Sequence, residues 1–278
     1  MTAGGGPGAR RRRLSVTVIT LNEEERLRAC LESVAAWADE IVVIDAESTD
    51  KTVAVAREFT DRVWVRPWPG FAAQKNWALA QAAGDWLLSL DADERVTPEL
   101  RERIGQVLVA DGPADGYAIP RRNILWGAWV RYGGLYPDDQ LRLFRRGAGR
   151  FVGDGVHESV QVEGRVERLD EPLLHHSYRS LEDFVQRSNR YSTLAAADWR
   201  AGGRRTHLAD LVFRPLGRFV SMYIIRRGFL DGWRGLVLAI LYANYVFLRM
   251  AKAWEAGRGG GPDGGPGDDT PSTPRHTR

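Results

Sequence analysis

The sequence predicts an α/β fold: a doubly wound mixed sheet followed by a C-terminal helical appendage. Three observations carry this expectation. Short β-branched or apolar runs alternate with helical-period segments in the order β-α-β-α-β-α-β through Leu90. Acidic residues stand at the ends of those runs. Beyond residue 110 the alternation gives way to isolated strands and then to long helices rich in Leu, Tyr, Phe and Arg. Strand–helix alternation builds parallel sheets, whose ligands sit at the carboxyl ends of the strands.

Leu14–Thr20 is the first strand, and Asn22 is expected to cap the helix that follows, with Glu23, Glu24 and Glu25 favouring its first turn. Glu40–Asp45 is almost continuously apolar, as strands buried on both faces are. Asp50 is placed to cap a second helix running to about Phe59, and Arg62–Val65 is a third strand. Ala72–Ala83 is helical, with Gly84 as its stop. Asp85–Leu90 is a fourth strand, and Pro98 opens the next helix from its first position. Tyr117–Pro120, Gln140–Arg145 and Val160–Glu163 read as strands. Ser180–Arg200, Leu216–Leu230 and Gly235–Glu255 read as helices.

The 278 residues suffice for one α/β domain with an appendage. The expected organisation is a disordered basic arm over 1–13, a domain over 14–200 with halves 14–110 and 111–200, a helical segment over 201–256, and a disordered tail over 257–278. The lone cysteine, Cys30, excludes an internal disulfide and falls on the apolar side of a helix. Charge is polarised. Residues 14–199 carry 22 Lys+Arg against 30 Asp+Glu, and residues 200–258 carry 11 against 3. An acidic body with a basic, apolar end suits chemistry at an anionic surface and not nucleic-acid binding. No apolar signal segment follows Arg10–Arg13.

Asp91-Ala92-Asp93-Glu94 follows directly on an apolar strand. Period-two geometry is expected to point Asp91 and Asp93 the same way, where two repelling carboxylates need a hard divalent cation such as one bound to a diphosphate. Asp45 ends another buried strand, placed either to hold a base or ribose or to shape a loop. The dinucleotide fingerprint GxGxxG is absent.

In sequence, Val18–Glu24, Val42–Thr52, Gln74-Lys75-Asn76 and Leu90–Glu94 resemble family 2 glycosyltransferases. Gln140–Arg145, Val156-His157-Glu158 and Leu174–Tyr178 resemble the lipopolysaccharide-core branch of that family. The resemblance covers about residues 14–255 and implies a GT-A fold and an inverting transfer from a nucleotide sugar, with UDP-hexose expected, to a hydroxyl of a lipid-linked saccharide. It also implies a divalent metal cofactor, Mg²⁺ or Mn²⁺. By position, Thr20, Asn22 and Glu23 would line the nucleotide, Asp45 would hold the base, and Lys75 would approach the nucleotide or diphosphate. Asp91 would reach ribose or metal, and Asp93 would bind metal. Ala46-Glu47 departs from the Asp-Gly or Ser-Gly of many relatives.

Inverting transfer needs a base for the acceptor proton. In the acidic turn Tyr136–Gln140 the first choice is Asp139 and the second Asp138, with Glu158 third. His157 and His175 compete to complete a metal site, and His175 fits the family position better. One of Arg142 and Arg145 is expected to clamp a phosphate. Trp126 and Trp129 either stack on sugar or membrane, or join the core.

Leu236–Met250 is the most apolar stretch, but at 15 residues it is shorter than the ~20 that a spanning helix needs. With its Arg, Tyr and Trp neighbours it suits either the interface of an anionic bilayer or a packed helical hairpin. The expected setting is cytoplasmic and peripheral, on the inner face of the cell membrane. The alternatives are a catalytically inactive nucleotide-sugar-binding or docking protein of the same fold, which intact Asp91 and Asp93 disfavour, and a nucleotidyltransferase, which the acidic Thr20–Glu25 loop disfavours.

Overall fold

In strand β1 (Leu14–Thr20) every residue except Ile19 is buried, Ser15 and Thr17 included, as in a strand covered on both faces. In the computed structural model, which describes residues 11–153, 158–178 and 180–258, β1 pairs in parallel with β2 (Glu40–Asp45) on one side and β4 (Trp86–Asp91) on the other. β3 (Val63–Val65) extends the sheet beyond β2. Past β4 the pairing turns antiparallel, through β8 (Asp139–Arg145) to β6 (Gly116–Leu125). β12 (Leu173–His175) lies parallel to β6, and β5 (Glu94–Val96) closes the far edge. The order is β3-β2-β1-β4-β8-β6-β12-β5, with β7 (Ala128–Trp129) and β11 (Val166–Arg168) added to β6. β9 (Gly149–Val152) and β10 (Ser159–Val162) form a separate antiparallel pair. This is the doubly wound, mixed α/β sheet that the alternating runs predict.

Two apolar layers sandwich the sheet. Helix α1 (Glu24–Ala35) contributes Leu27, Cys30, Leu31 and Val34 to the layer holding Val16, Val18, Leu88 and Leu90, joined by α2 (Thr52–Arg57) and α4 (Pro98–Ala110). Cys30 is a core residue, its thiol pushed well up by burial. Helix α3 (Phe71–Gln81) contributes Ala78 and Leu79 to the opposite layer, with Val42, Ile44, Leu87 and Phe144. The Thr97 hydroxyl accepts from Leu100 N–H at 3.2 Å and Pro98 takes the first helical position, as the sequence indicates.

Several local expectations differ. Glu23, not Asn22, stands at the start of α1; Asn22 takes a left-handed backbone (φ 54°) and bonds across to the β2 loop. Gly84 serves close approach and not helix termination, since a Cβ there would lie 2.6 Å from the Ser15 nitrogen. Arg11 and Arg12, expected in a disordered arm, are engaged by Asp39 at 2.7 Å and Asp111 at 2.5 Å. Residues 1–10 of that arm and residues 259–278 lie outside the described residues, while Gly257 and Arg258, expected in the tail, end the last helix.

The chain divides into two compact units, the second beginning at Ser180. It comprises α5 (Leu181–Ala201), α6 (Leu208–Val220) and α7 (Gly232–Arg258). The boundary expected after residue 200 moves because α5 packs on α7. Phe184 meets Tyr242 edge-on at 5.5 Å, and the Lys252 ammonium donates to Asn189 O and the Ser192 hydroxyl at 2.7 and 2.8 Å. The helix expected over Leu216–Leu230 is interrupted by a π-helical turn at Ser221–Ile225 and a 3₁₀ turn at Gly228–Asp231. Two glycines permit that reversal: a Cβ on Gly235 would fall 1.8 Å from the Gly228 carbonyl oxygen. Among the described residues, Gly228–Arg258 is the one helical stretch long and apolar enough to cross a membrane by length and composition.

Candidate active site

Strand register brings the functional residues together. Thr20 lies beside Asp45, and Asp91 beside Ile19, so β1, β2 and β4 end along one line. Asp45 is fully buried and binds within its own loop: it accepts from Thr20 Oγ1 at 2.9 Å and from Ser48 N–H at 2.7 Å. Asn22 N–H donates to Ser48 Oγ at 2.8 Å, and Thr49 N–H donates to Asn22 Oδ1 at 2.9 Å. Glu23 N–H donates to Thr52 Oγ1 at 2.7 Å. The first two βα loops are thereby tied to each other. Glu47 sits at the crest with φ 61°, a left-handed backbone that glycine adopts without strain.

Beyond this rim runs a chain of charges. The Lys75 ammonium on α3 is buried and bonds Asp91 Oδ1 at 2.8 Å and Glu158 Oε1 at 3.1 Å, with the Phe151 ring beneath it. Arg142 on β8 bonds Asp91 and reaches Glu94 Oε1 at 2.7 Å. Arg121 on β6 bonds that same Glu94 oxygen at 3.2 Å and Asp138 Oδ2 at 2.7 Å. Glu94 Oε2 also accepts the Asp91 N–H at 3.1 Å. Burial by itself raises the Asp91 pKa, but the adjacent Arg142 and Lys75 charges outweigh it and hold the carboxyl well below the usual carboxylate range. Asp138 is likewise held down, Arg121 and Gln140 outweighing its burial.

Asp91 and Asp93 do not share one face. β4 ends at Asp91 and the chain turns through Ala92–Asp93 into β5, so strand alternation stops applying. Asp93 instead meets Arg26 of α1 at 3.4 Å, and its Oδ2 faces His175 Nε2 at 3.6 Å. His175 Nδ1 is 2.7 Å from Asn123 Oδ1, and the Asn123 amide nitrogen donates to Leu135 O at 3.0 Å. That network assigns the ring proton to Nδ1, so in the neutral ring a lone pair on Nε2 is aimed at a carboxylate. A divalent cation there would be held by both, beside the Arg26 guanidinium that faces the same Asp93 oxygen, and an anchored distal ring nitrogen is the usual support for a ligating histidine. No three His, Cys, Asp or Glu side chains among the described residues form a cage of their own. An ion at Asp93 and His175 would therefore complete its shell with substrate oxygens and water, the habit of Mg²⁺.

The base candidates separate. Asp138 joins the charge chain through Arg121. Asp139, at the start of β8, faces Arg168 at 3.0 Å away from that chain, because successive strand residues point to opposite faces. Glu158 lies beside Lys75. His157 lies outside the described residues. Arg142 enters the site, whereas Arg145 pairs with Asp111 and Asp115 at 2.8 and 3.6 Å. Trp129 packs edge-on to Tyr136 at 5.2 Å with Arg122 over its ring at 4.7 Å. Sequence reasoning assigned no role to Glu94, Arg121 or Asn123. The available signal for Glu94 was an acid directly following Asp91-Ala92-Asp93; the two β6 residues carried none.

The family model described as glycosyl transferase family 2 matches residues 15–159. The chain belongs to glycosyltransferase family 2. It is 35% identical over 249 residues to the lipopolysaccharide core biosynthesis glycosyltransferase LpsC of Rhizobium meliloti, covering 87% of this chain and 92% of that protein. An uncharacterized glycosyltransferase of Rickettsia felis is 31% identical over 264 residues, covering 88% and 90%. Among solved structures, glucosyl-3-phosphoglycerate synthase from Mycobacterium tuberculosis in complex with Mn²⁺ and UDP-glucose is 18% identical, with a TM-score of 0.48 over 70% of this chain and 80% of that one. S. aureus TarS 1–349 is 17% identical, with a TM-score of 0.45 over 90% and 92%. The family 2 domain and the LpsC relationship make this chain a glycosyltransferase related to the lipopolysaccharide-core branch.

Proposed function

We propose that this glycosyltransferase moves a hexose from a UDP-sugar to a hydroxyl of a lipid-linked saccharide such as lipopolysaccharide core, with inversion and by direct displacement. One observation carries the reading: the Asp93–His175 pair suits a divalent cation and follows Asp91, the end of β4, which bonds Lys75 of α3 and Arg142 of β8, two cations suited to a diphosphate. Thr20, Asn22, Glu23 and Asp45 line the nucleotide, Lys75 meets the diphosphate, and Asp91 reaches ribose or metal. Asp93 and His175 hold the ion, Mg²⁺ or Mn²⁺, which when bound neutralises charge on the departing diphosphate. The pairing of Lys75 and Arg142 with Asp91 keeps both cations aimed at the site before the donor arrives.

Asp138 is the base that takes the acceptor proton. Arg121 holds its carboxylate ionised, and Gln140 Nε2 donates to its other oxygen at 2.8 Å, which fixes its direction. Asp139 is second and Glu158, on the Lys75 side, third. A lipid-linked acceptor and a soluble nucleotide sugar meet at the cytoplasmic face of the cell membrane, so the enzyme works there as a peripheral protein.

The test is calorimetric titration of UDP with and without Mn²⁺, on the wild type and on Asp93→Ala. Metal-dependent binding that the variant loses supports the donor site and justifies screening UDP-sugars on membrane acceptors. No UDP binding by either protein overturns the UDP-sugar reading.

A further inference from the structure

Helix α6 has no buried residue, and it exposes Val212, Phe213 and Leu216 at 61, 69 and 54%. Helix α7 exposes Leu236, Ile240 and Phe247 at 37, 52 and 42%, a stripe at i, i+4 and i+11 on one helix side. Four cations within these helices are turned elsewhere. Arg249 follows Ile240 by nine positions, about 180° around a helix of 3.6 residues per turn, and lies over the Trp199 ring of α5 at 5.6 Å. Arg214 lies over the same ring at 4.9 Å, and Arg218 over Tyr242 at 5.3 Å. Lys252 bonds α5. One side of the α6–α7 hairpin is thus covered by α5 and carries these four charges; the other is apolar from Val212 to Leu216 and from Leu236 to Phe247, and Arg258, five full turns beyond Ile240, adds a cation at its end. Soluble monomers expose apolar residues singly, not as such a face.

The ends of that face are cationic. Arg226 and Arg227 are exposed at the turn, and Arg204 and Arg205 are exposed just before α6 begins. None of the four has a carboxylate partner among the described residues. Residues 200–258 hold 11 Lys+Arg and 3 Asp+Glu.

We propose that the outer face of the α6–α7 hairpin lies flat in the interfacial layer of an anionic bilayer, with Phe213 and Ile240 among the acyl chains and the terminal arginine pairs at phosphate level. Charge decides the occupant: a second copy docking on the same face would bring its own arginines against these, whereas acidic headgroups complement them. Charge also decides the pose, since a spanning α7 would carry Arg249 and Lys252 into hydrocarbon. The inference rests on the lipid-linked acceptor only for the purpose of docking, and vesicles free of acceptor keep the two readings separable.

The experiment is co-sedimentation of the full chain with phosphatidylcholine vesicles with and without phosphatidylglycerol. The wild type, Phe213→Ser/Ile240→Ser and Arg226→Ala/Arg227→Ala are compared. Thermal unfolding and UDP titration confirm that the variants keep their fold and donor site. The wild type should partition onto anionic vesicles, the apolar double variant about tenfold or more weakly, and the arginine variant about fivefold weaker per arginine at low salt. Equal vesicle binding by wild type and the apolar variant overturns the proposal. So does equal binding to both vesicle types, or a wild-type dimer in light scattering that this variant splits while neither binds vesicles.

Discussion

Glu94→Gln tests the charge chain where it is most buried. Glu94 has no exposed surface; one oxygen receives Arg142 at 2.7 Å and Arg121 at 3.2 Å, and the other receives the Asp91 N–H at 3.1 Å. Glutamine keeps the shape but only one acceptor. Its amide nitrogen must face either two guanidiniums or the Asp91 N–H, a donor against donors in both cases. Removing one partner of a buried ion pair costs about 3–5 kcal/mol. Retained volume and the partial exposure of Arg121 argue for the lower end, about 3 kcal/mol. At ~2–4 °C per kcal/mol for a unit of this size, Tm should fall by roughly 6–12 °C. Differential scanning calorimetry reads this directly, with Asp139→Asn as the comparison. Asp139 pairs with Arg168 at the surface, so that variant should stay within about 1 kcal/mol of wild type. A Glu94→Gln protein melting with the wild type, or above Asp139→Asn, would refute the account of the network.

Other outcomes follow from the same geometry. Asp138→Asn should lower kcat by ~10²–10⁴-fold with UDP affinity unchanged, while Asp139→Asn retains turnover, as measured by single-turnover sugar transfer. Because Asp138 is held below the ordinary carboxylate range by Arg121 and Gln140, its base form persists as pH falls, and the acidic limb of kcat/KM that belongs to this group should lie below that range. Gly235→Ala would set a Cβ 1.8 Å from the Gly228 carbonyl oxygen and should destabilise the hairpin by about 1–3 kcal/mol or more, visible as lost helical circular dichroism on heating. Asp39 has its pKa lowered, the Leu14 N–H and Arg11 outweighing its burial. The stability it adds is therefore complete above the unfolded carboxylate pKa and lost as pH drops through the folded one. The gap between wild type and Asp39→Asn in urea unfolding should close on acidification.

The alternating half of the fold was legible because its signals are local. A buried parallel strand writes itself as a continuous apolar run, as in Glu40–Asp45, and a helix start as a Thr97-Pro98 pair. Strands of two or three residues such as β5, β7 and β11 are too short to show a period. The α6–α7 reversal was misplaced because Gly228 and Gly235 act by contact with each other across the turn, not by local preference.

The sequence by itself determined the fold class, the acids at the strand ends and the membership of Asp45, Lys75, Asp91 and Asp93 in one family pattern, since each rests on residues near one another in the chain. Only the tertiary structure decided which charges meet. Arg142 is 51 positions from Asp91, and Asn123 is 52 from His175. Asp138 and Asp139 are indistinguishable as letters, yet strand alternation turns one toward Arg121 and the other toward Arg168. Electrostatic partnership depends on distance in space and on the face a strand presents, and neither is written in the spacing of residues along a chain.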